Sequence, residues 1–383
     1  MRALIIGGGI GGLALAIALR HVGLEVTVCE QAPALREAGA GLTLWSNAMR
    51  VLRVLGLTDS ILDVSTPLAR GLICNQTGKV LANIPLGELG QKMGAPIVGI
   101  HRADLLAVLS SRVDPNDVRL GAKFVDFTQD DRGVTAHFAD GTQQRGDLLV
   151  GADGIHSRVR ELVLGDRLRY CGYVGWRGVA DIRAPDLPTG RSIWSYGHGS
   201  QFGLIPIGGG RVFWFGTATI PEEQIALLGP HRQELLKRFH DWHVPIPDVV
   251  AAADVETLVR TPIYDRPPVQ RWGVGRVTLL GDAAHATTPT LGQGACLAIE
   301  SAYVLADRLR GGESVESALR SYERERQTRT ARIIRQSWNM GVSIQWQNPL
   351  ACWLRNQAVH WMPLRWHLRS LEKIITPGCV DRR

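Results

Sequence analysis

The stretch that decides the fold is RALIIGGGIGGLALAIALRHVGLEVTVCE, residues 2–30. Residues 2–6 are apolar after the first position and predict a short buried strand, and the glycine-rich residues 7–12 predict a tight turn. Residues 13–22 predict a helix, and the second apolar strand, residues 25–29, is followed by an acid. A strand, a glycine-rich turn, a helix and a second strand are typical of the first half of a doubly wound α/β unit.

The spacing of the glycines in this stretch predicts that it binds a dinucleotide. Gly7 permits the tight turn, Gly9 lets the backbone approach a pyrophosphate, and Gly12 lets the helix pack closely on the strand. Glu30 lies eighteen residues after Gly12, which suits an acid that accepts a hydrogen bond from a ribose hydroxyl. The alternative, a secretory signal, is disfavoured because five glycines interrupt the apolar run and no small-residue cleavage site follows it.

Two later segments repeat the pattern of a buried strand that ends in an acid. GADGIHSRVR, residues 151–160, follows an apolar run and opens a helix, and Gly281-Asp282 follows another apolar run. The turn GQGAC, residues 292–296, then begins a long helix whose N-terminus offers a second site for an anion. Because these strands return the chain to the first sheet, residues 31–145 are predicted to interrupt a single dinucleotide-binding domain.

Composition limits the classes of function. With 383 residues, 45% of them hydrophobic, the chain is long enough for more than one domain, and 21% charged residues argue against disorder. Six cysteines without a C-x-x-C pair indicate reduced thiols in the cytoplasm, with neither a disulfide framework nor a metal site. Residues 302–383 hold 14 Lys/Arg and 7 Asp/Glu, which accounts for the net charge of +7. No nucleic-acid-reading motif accompanies them, so nucleic acid is not an expected partner, and no run of eighteen apolar residues predicts a membrane span.

Residues 170–218 are rich in aromatic residues, β-branched residues and glycines, which predicts an antiparallel sheet. The aromatic side chains support two interpretations, and both stay open at this point. They belong to an ordinary sheet core, or they form the wall of an apolar pocket for a flat organic substrate.

The C-terminal stretch, residues 314–375, predicts helices, and four tryptophans from Trp338 to Trp361 lie seven or eight residues apart in it. At about 100° per residue these tryptophans spread over roughly 140° of helix surface. Packing against the body of the protein is the first interpretation. Contact with a membrane surface is the alternative, because Arg355, Arg365 and Arg369 lie nearby and interfacial helices combine aromatic and basic residues.

Taken together, the three strand-end motifs resemble those of the single-component FAD-dependent aromatic monooxygenases of the para-hydroxybenzoate hydroxylase type. The resemblance covers residues 1–335 and is strongest to the branch with urate hydroxylase and zeaxanthin epoxidase, which shares Cys296 after Gly-Gln-Gly and the segment GWRG, residues 175–178. It implies an α/β fold with a Rossmann-like FAD-binding domain of the GR2 type, an inserted antiparallel-sheet substrate domain and C-terminal helices. The domains implied are 1–168 and 271–335 for FAD, 169–270 for substrate, and 336–383 for the helical tail.

The resemblance also implies which residues bind FAD. Besides the first glycine turn and Glu30, the residues it places at the cofactor are Thr43, Arg102, Asp153, Arg160, Asp282, Gly292, Gly294, Ala295 and Cys296. Arg102 would contact the ribityl-phosphate region, Asp282 the ribityl chain or pyrophosphate, and residues 292–296 the pyrimidine edge of the isoalloxazine. Asp153 and Arg160 belong to a motif linked to both FAD and NAD(P)H.

In this family NAD(P)H reduces FAD, O2 adds to the flavin C4a, and the resulting hydroperoxide delivers oxygen to an electron-rich ring. NAD(P)H is a co-substrate that binds transiently, which agrees with the absence of a second G-x-G-x-x-G unit from the sequence. Because such a peroxide decays in water, the chemistry needs an apolar pocket. The resemblance therefore implies an FAD-dependent monooxygenase that hydroxylates an aromatic or related ring.

The residues expected at the substrate are Trp45, Trp176, Gln201, Phe213 and Pro289. Gln201 and Phe213 stand where urate hydroxylase carries an Arg and a Tyr, which favours a larger, less charged aromatic or polyene.

The residues expected to polarise a substrate hydroxyl are Arg177, Tyr196 and His198. Two alternatives remain: an epoxidase of an apolar alkene or polyene at a membrane surface, and a flavin-binding protein without oxygenase activity. The sequence leaves open whether the protein is a monomer or a homodimer.

Overall fold

The computed structural model describes residues 1–35, 41–181, 190–253 and 258–376. The strands in chain order are β1 (Arg2–Ile6), β2 (Glu25–Cys29), β3 (Gly41–Leu44), β4 (Ser65–Pro67), β5 (Arg70–Asn75), β6 (Val80–Ile84), β7 (Val98–His101), β8 (Val118–Arg119), β9 (Phe124–Asp130), β10 (Gly133–Phe138), β11 (Gln143–Gly146), β12 (Leu148–Gly151), β13 (Arg169–Asp181), β14 (Arg191–Tyr196), β15 (Ser200–Pro206), β16 (Arg211–Thr219), β17 (Val259–Asp265) and β18 (Val277–Leu279).

The α-helices are α1 (Ile10–His21), α2 (Ser46–Val54), α3 (Thr58–Asp63), α4 (Leu86–Lys92), α5 (Arg102–Ser110), α6 (Arg158–Leu164), α7 (His231–Phe239), α8 (Ile246–Ala251), α9 (Asp282–His285), α10 (Gly294–Arg310), α11 (Val315–Ile344), α12 (Pro349–Trp361) and α13 (Leu364–Ile375). Of the helices in these ranges, none is both long and apolar enough to cross a membrane.

The first of the two large sheets is parallel and has the order β18-β12-β1-β2-β8. Its central strands are almost wholly buried, which explains their continuous apolar runs. Helix α1 packs closely on β1: a Cβ on Gly12 would lie 2.0 Å from the carbonyl oxygen of Gly7. Gly7 itself has φ +106°, a conformation that side chains with a Cβ rarely adopt. The strand, turn and helix predicted from residues 2–30 therefore form as expected.

The second large sheet has the order β17-β13-β16-β15-β14-β5-β6 and is antiparallel except for the pairing of β14 with β5. It contains the antiparallel strands predicted from residues 170–218. The hairpin β5–β6 also belongs to this sheet, although the sequence assigned it to the FAD-binding domain. The pairing of β14 with β5 joins residues about 120 positions apart, and no local pattern encodes such a contact. The domain boundaries drawn from sequence stay predictions.

Alternate side chains of the second sheet face opposite ways, so both interpretations of its aromatic residues apply. Trp214 is buried in a core that lies beneath the sheet with α7 and α8. Its neighbours Phe213 and Phe215 line a large cavity on the other face. This alternation follows from the two-residue period of a strand.

The C-terminal helices close the molecule over the second sheet. Helix α10 packs against α1 and α11, while α12 and α13 pack against β6. Two small antiparallel sheets, β11-β10-β9 and β3-β7-β4, complete the structure.

Candidate active site

A long crevice runs from the carboxyl ends of the parallel strands to the second sheet. Its narrow part has a volume of about 300 Å³ and its wide part about 990 Å³. The two parts share a junction whose residues line both cavities: Arg102, His156, Asp282, Gly294 and Ala295. One elongated ligand can therefore extend through both parts.

The glycine turn and Glu30 form the far end of the narrow part. Gly7, Gly9 and Glu30 all line it, and α1 begins directly after Gly9. The Glu30 carboxylate accepts hydrogen bonds from the backbone N–H groups of Gly8 (2.7 Å) and Ala32 (2.8 Å). These bonds fix the carboxylate and leave it free to accept more, since each oxygen has two lone pairs. Gly12 faces away from the crevice and packs on Gly7 instead.

Asp153 lies on one wall of the narrow part and holds the start of α6. Its carboxylate accepts from Ser157 Oγ (2.5 Å), the Arg158 N–H (2.8 Å) and the Val159 N–H (3.2 Å). Burial raises the pKa of Asp153 even though these hydrogen bonds favour the ionised form.

Arg160 does not reach the crevice, which corrects its assignment to the cofactor. It is fully buried and donates from Nη1 to the carbonyl oxygens of Ala283 (2.8 Å) and Ala284 (2.9 Å). It also pairs with Asp166 through Nε–Oδ1 (2.8 Å). These contacts of Arg160 join α6 to α9, the helix that begins with Asp282. They explain why the motif contains an arginine at this position.

Arg102 and Asp282 face each other at the junction of the two parts. Burial raises the pKa of Asp282, and the positive charge of Arg102 opposes this rise. Arg102 begins α5 after β7. Gly281, with φ +63°, turns the chain so that Asp282 begins α9. An acid and a base at this point suit hydroxyl and phosphate groups in the middle of a long ligand.

The second glycine-rich helix start lies where the wide part meets the narrow part. Gly292, Gly294 and Ala295 line it, and Gly292 has φ +60°. The first turn of α10 carries backbone N–H groups that lack intrahelical partners and lie at the positive end of the helix dipole. A Cβ on Gly294 would lie 3.8 Å from Asp282 Oδ1, so both features border one space.

Cys296 is a buried structural thiol and does not line the crevice, which corrects its assignment to the cofactor. Its Sγ accepts from the backbone N–H of Trp45 (3.4 Å) and donates to the carbonyl oxygen of Thr43 (3.7 Å). Burial raises its pKa to about 12. The thiol thus ties α10 to the end of β3 and the residue that follows it, where Thr43 and Trp45 do line the wide part.

All the residues predicted at the substrate line the wide part: Trp45, Trp176, Gln201, Phe213 and Pro289. Gln201 is 7% exposed and its side chain makes no hydrogen bond to another described residue, so its side-chain amide is available to a ligand. The indole Nε1 atoms of Trp45 and Trp176 are also buried without a partner among the described residues.

The residues predicted to polarise a substrate hydroxyl divide into two groups. Arg177 and Tyr196 line the wide part; Arg177 Nη2 donates to Thr261 Oγ1 (3.1 Å), and burial raises the pKa of Tyr196 to about 12. His198 lies exposed on the turn between β14 and β15 and does not line the cavity. It is therefore removed from the candidates, since a tight turn two residues beyond Tyr196 carries it out of the sheet.

The C-terminal helices contribute to the cavity wall, which the sequence did not predict. Helix α11 supplies Met340 and Ile344, and α13 supplies Leu371, Ile374 and Ile375. The three- and four-residue spacing of Leu364, Leu368, Leu371 and Ile375 signals an apolar helix face that could have indicated this role.

The residues of the crevice fit FAD. Two helix starts with glycine turns face one space, and Glu30 and Asp282 provide carboxylates for hydroxyl groups at two points along it. Near the second turn, Trp45 Nε1 and Gln293 Nε2 are buried donors without a partner in the described part of the chain. Among those residues, no group of three or more His, Cys, Asp or Glu is placed to hold a metal ion.

Comparisons with known proteins agree with this fit. A family model described as an FAD binding domain matches residues 1–337. The Aurachin C monooxygenase/isomerase of Stigmatella aurantiaca is 40% identical over 363 residues, 94% of each chain. The FAD-dependent urate hydroxylase of Klebsiella pneumoniae is 34% identical over 337 residues, 87% of this chain and 88% of its own. The crystal structure of Klebsiella pneumoniae HpxO with FAD and uric acid matches with a TM-score of 0.92 at 30% identity, covering 99% of this chain and 98% of that one.

Proposed function

The chain belongs to the FAD-binding-domain family of FAD-dependent monooxygenases, and we propose that within this family it hydroxylates a large, uncharged aromatic ring compound. Membership confirms the predicted α/β fold class, the cofactor FAD and the use of NAD(P)H as co-substrate. It also supports the hydroxylase prediction over the two alternatives, an epoxidase and a flavin protein without oxygenase activity.

We assign each end of the crevice to one part of FAD. Glu30 accepts from the adenosine ribose, and the N–H groups at the start of α1 bind the pyrophosphate. Arg102 and Asp282 hold the ribityl-phosphate region at the junction. Gly292, Gly294 and Ala295 lie at the pyrimidine edge of the flavin ring, where the positive end of α10 stabilises negative charge.

FAD supplies the electron transfer from NAD(P)H and the activation of O2, and the protein supplies binding, orientation and the exclusion of water. Water is excluded by the aromatic wall of the second sheet and by helices α11 and α13. Tyr196, whose high pKa keeps it protonated, donates a hydrogen bond to a substrate oxygen, and Arg177 provides a positive charge on the same side of the cavity.

The size and apolar lining of the wide cavity carry the substrate proposal. Its volume of about 990 Å³ is at the upper end of ordinary ligand pockets, so it has room for a ring system beside the flavin. Gln201 and Phe213 give this wall an amide and a phenyl ring, neither of which neutralises an anion. A substrate with one polar edge and a large apolar remainder suits this lining.

A panel of substrates tests the proposal. Aurachin C, for which one of the relatives is named, heads the panel, followed by smaller uncharged aromatics and by urate as the anionic control. We expect NAD(P)H consumption coupled to ring-oxygenated product for the large aromatics and little for urate. Peroxide released without product is subtracted, and 18O2 identifies the source of the inserted oxygen. Preferential turnover of urate would contradict the proposal.

We further propose a cytoplasmic location. The five cysteines in the described part of the chain are unpaired, as expected of a reducing compartment; Cys379 lies outside the described residues. The choice between monomer and homodimer stays a prediction, which sedimentation of the FAD-loaded protein decides.

A further inference from the structure

The exposed apolar surface of the protein is concentrated on the helices at its C-terminal end. Ten of the seventeen large apolar side chains that the described residues expose lie between Met340 and Trp366, and four of these are tryptophans. Trp361 is 76% exposed, Leu350 65% and Trp366 57%. We call the set on α12, α13 and their flanks the tail surface: Trp346, Leu350, Trp353, Leu354, Trp361, Leu364 and Trp366. A concentration of exposed apolar side chains of this kind marks an interaction site.

The charges beside the tail surface are positive. Arg365, Arg369 and Lys373 are exposed on α13. The acid on the same helix, Glu372, is already paired with Lys92 at 2.6 Å. The tail surface therefore combines indole rings with cations that form no ion pair with a described residue, which is the composition of helices that lie at the interface of an anionic bilayer.

The same helices also form the wall of the substrate cavity. Leu371, Ile374 and Ile375 line the cavity from α13, while Leu364 and Trp366 near its start are exposed. Helix α13 has twelve residues, which is too short to cross a bilayer but sufficient to lie in its surface plane. One short helix thus has exposed apolar residues at its start and cavity-lining apolar residues at its end.

We propose that the tail surface binds the surface of an anionic lipid bilayer. The indoles insert at the level of the headgroups, and Arg365, Arg369 and Lys373 contact the anionic lipids. A second copy of the chain fits less well, because a two-fold interface would place these cations against themselves. The benefit to catalysis, access to a membrane-dissolved aromatic, rests on the proposed function; the binding itself does not.

Flotation of the FAD-loaded full chain with vesicles tests the inference. The vesicles are phosphatidylcholine alone or phosphatidylcholine with about 30% phosphatidylglycerol. We expect binding to the anionic vesicles, weakened by added salt. Trp361→Ala and Trp366→Ala should each lower the partition coefficient about tenfold on both lipids. Arg365→Ala and Arg369→Ala should each lower it about fivefold on the anionic vesicles alone.

Leu227→Ala is the matched control, because Leu227 is 82% exposed on another part of the molecule and should leave flotation unchanged. Retained FAD and an unchanged melting temperature show that each variant is folded. Equal flotation of the tryptophan variants and the wild type would overturn the inference. A dimer that Trp361→Ala dissociates would overturn it in favour of a second copy. Flotation is independent of turnover, so a failure of the proposed reaction is distinguishable from a failure of lipid binding.

Discussion

The side-chain amide of Asn47 donates a hydrogen bond of 3.0 Å to Oε1 of Gln293, across 246 positions of the chain. The same Nδ2 donates to Glu300 Oε1 at 2.6 Å. Glu300 is fully buried and pairs with Arg326 (2.8 Å) and Arg329 (2.6 Å). The polar network therefore joins α2 to the turn at the start of α10 and to α11. It supports the proposed flavin-binding turn through Gln293.

Asn47→Ala should loosen this turn. It removes a donor from the buried Gln293 and Glu300 and should destabilise the protein by about 1–3 kcal/mol. FAD affinity should fall and the visible flavin spectrum should shift, because the turn loses its support. Titration with FAD and thermal unfolding measure both effects, with the exposed Asn116→Ala as control. An unchanged spectrum and affinity would show that the turn does not depend on Asn47.

The carboxylate of Glu300 should make the folding stability of the protein depend on pH. Burial opposes its ionisation, but Arg326 and Arg329 outweigh this and lower the pKa of Glu300 from 4.5 to about 2. Because the pKa of Glu300 is lower in the folded than in the unfolded protein, its ionised carboxylate stabilises the folded state above the unfolded pKa. This contribution, about 3 kcal/mol, is lost as pH falls from about 4.5 to about 2.

Glu300→Gln isolates that contribution, because other carboxylates titrate equally in both proteins. Denaturant unfolding in steps below pH 5 should show the wild type losing its advantage over the variant. The variant should already be weaker at neutral pH, since it removes the carboxylate that pairs with the buried guanidinium of Arg326. Parallel curves for the two proteins would show that Glu300 does not contribute.

The sequence could predict features that depend on residues close together in the chain, but not those that depend on contacts between residues far apart in it. The turn from Gly7 to Gly12 and the acids after each strand are contiguous motifs, so their place at the strand ends follows from the parallel sheet. Arg160 and Cys296 lie in similar motifs but face away from the crevice, because a motif specifies a segment and not the direction of each side chain. The cavity wall from α13 depends on tertiary packing, which a single sequence does not encode locally.

Substitution of Arg102 should impair cofactor binding, whereas substitution of Arg177 should impair turnover. Arg102→Met removes the cation beside Asp282 at the junction and should weaken FAD binding by about tenfold to a hundredfold, in line with charged hydrogen bonds of about 1.5–3 kcal/mol. Arg177→Met should retain FAD and lower kcat/KM. FAD titration and steady-state kinetics measure the two, with the exposed Arg132→Met as control. Equal loss of FAD from the variants at Arg102 and Arg177 would contradict the separation.

Gln201 should orient the polar edge of the substrate. Gln201→Leu keeps the size of the side chain and removes its amide, so aromatics that carry a hydroxyl or carbonyl should bind about tenfold more weakly. Aromatics without such a group should bind as before or better. Substrate-induced changes of the flavin spectrum report the affinity, and Gln143→Leu on the exposed strand β11 is the control. An equal loss of affinity for every aromatic in the panel would show that Gln201 contributes to packing and not to orientation of the substrate.

Tyr196 should act as a hydrogen-bond donor at every working pH. Burial raises its pKa to about 12, and Arg355, 5.4 Å from its ring, opposes this only in part. Tyr196 therefore stays protonated up to about pH 10, the ordinary pKa of tyrosine, and its ionisation should not appear in the pH profile of kcat/KM. Tyr196→Phe should lower kcat/KM about tenfold for hydroxylated substrates, because one hydrogen bond is lost. The shape of the profile should not change. A limb near the ordinary pKa of tyrosine that disappears in the variant would show instead that Tyr196 reacts as a phenolate.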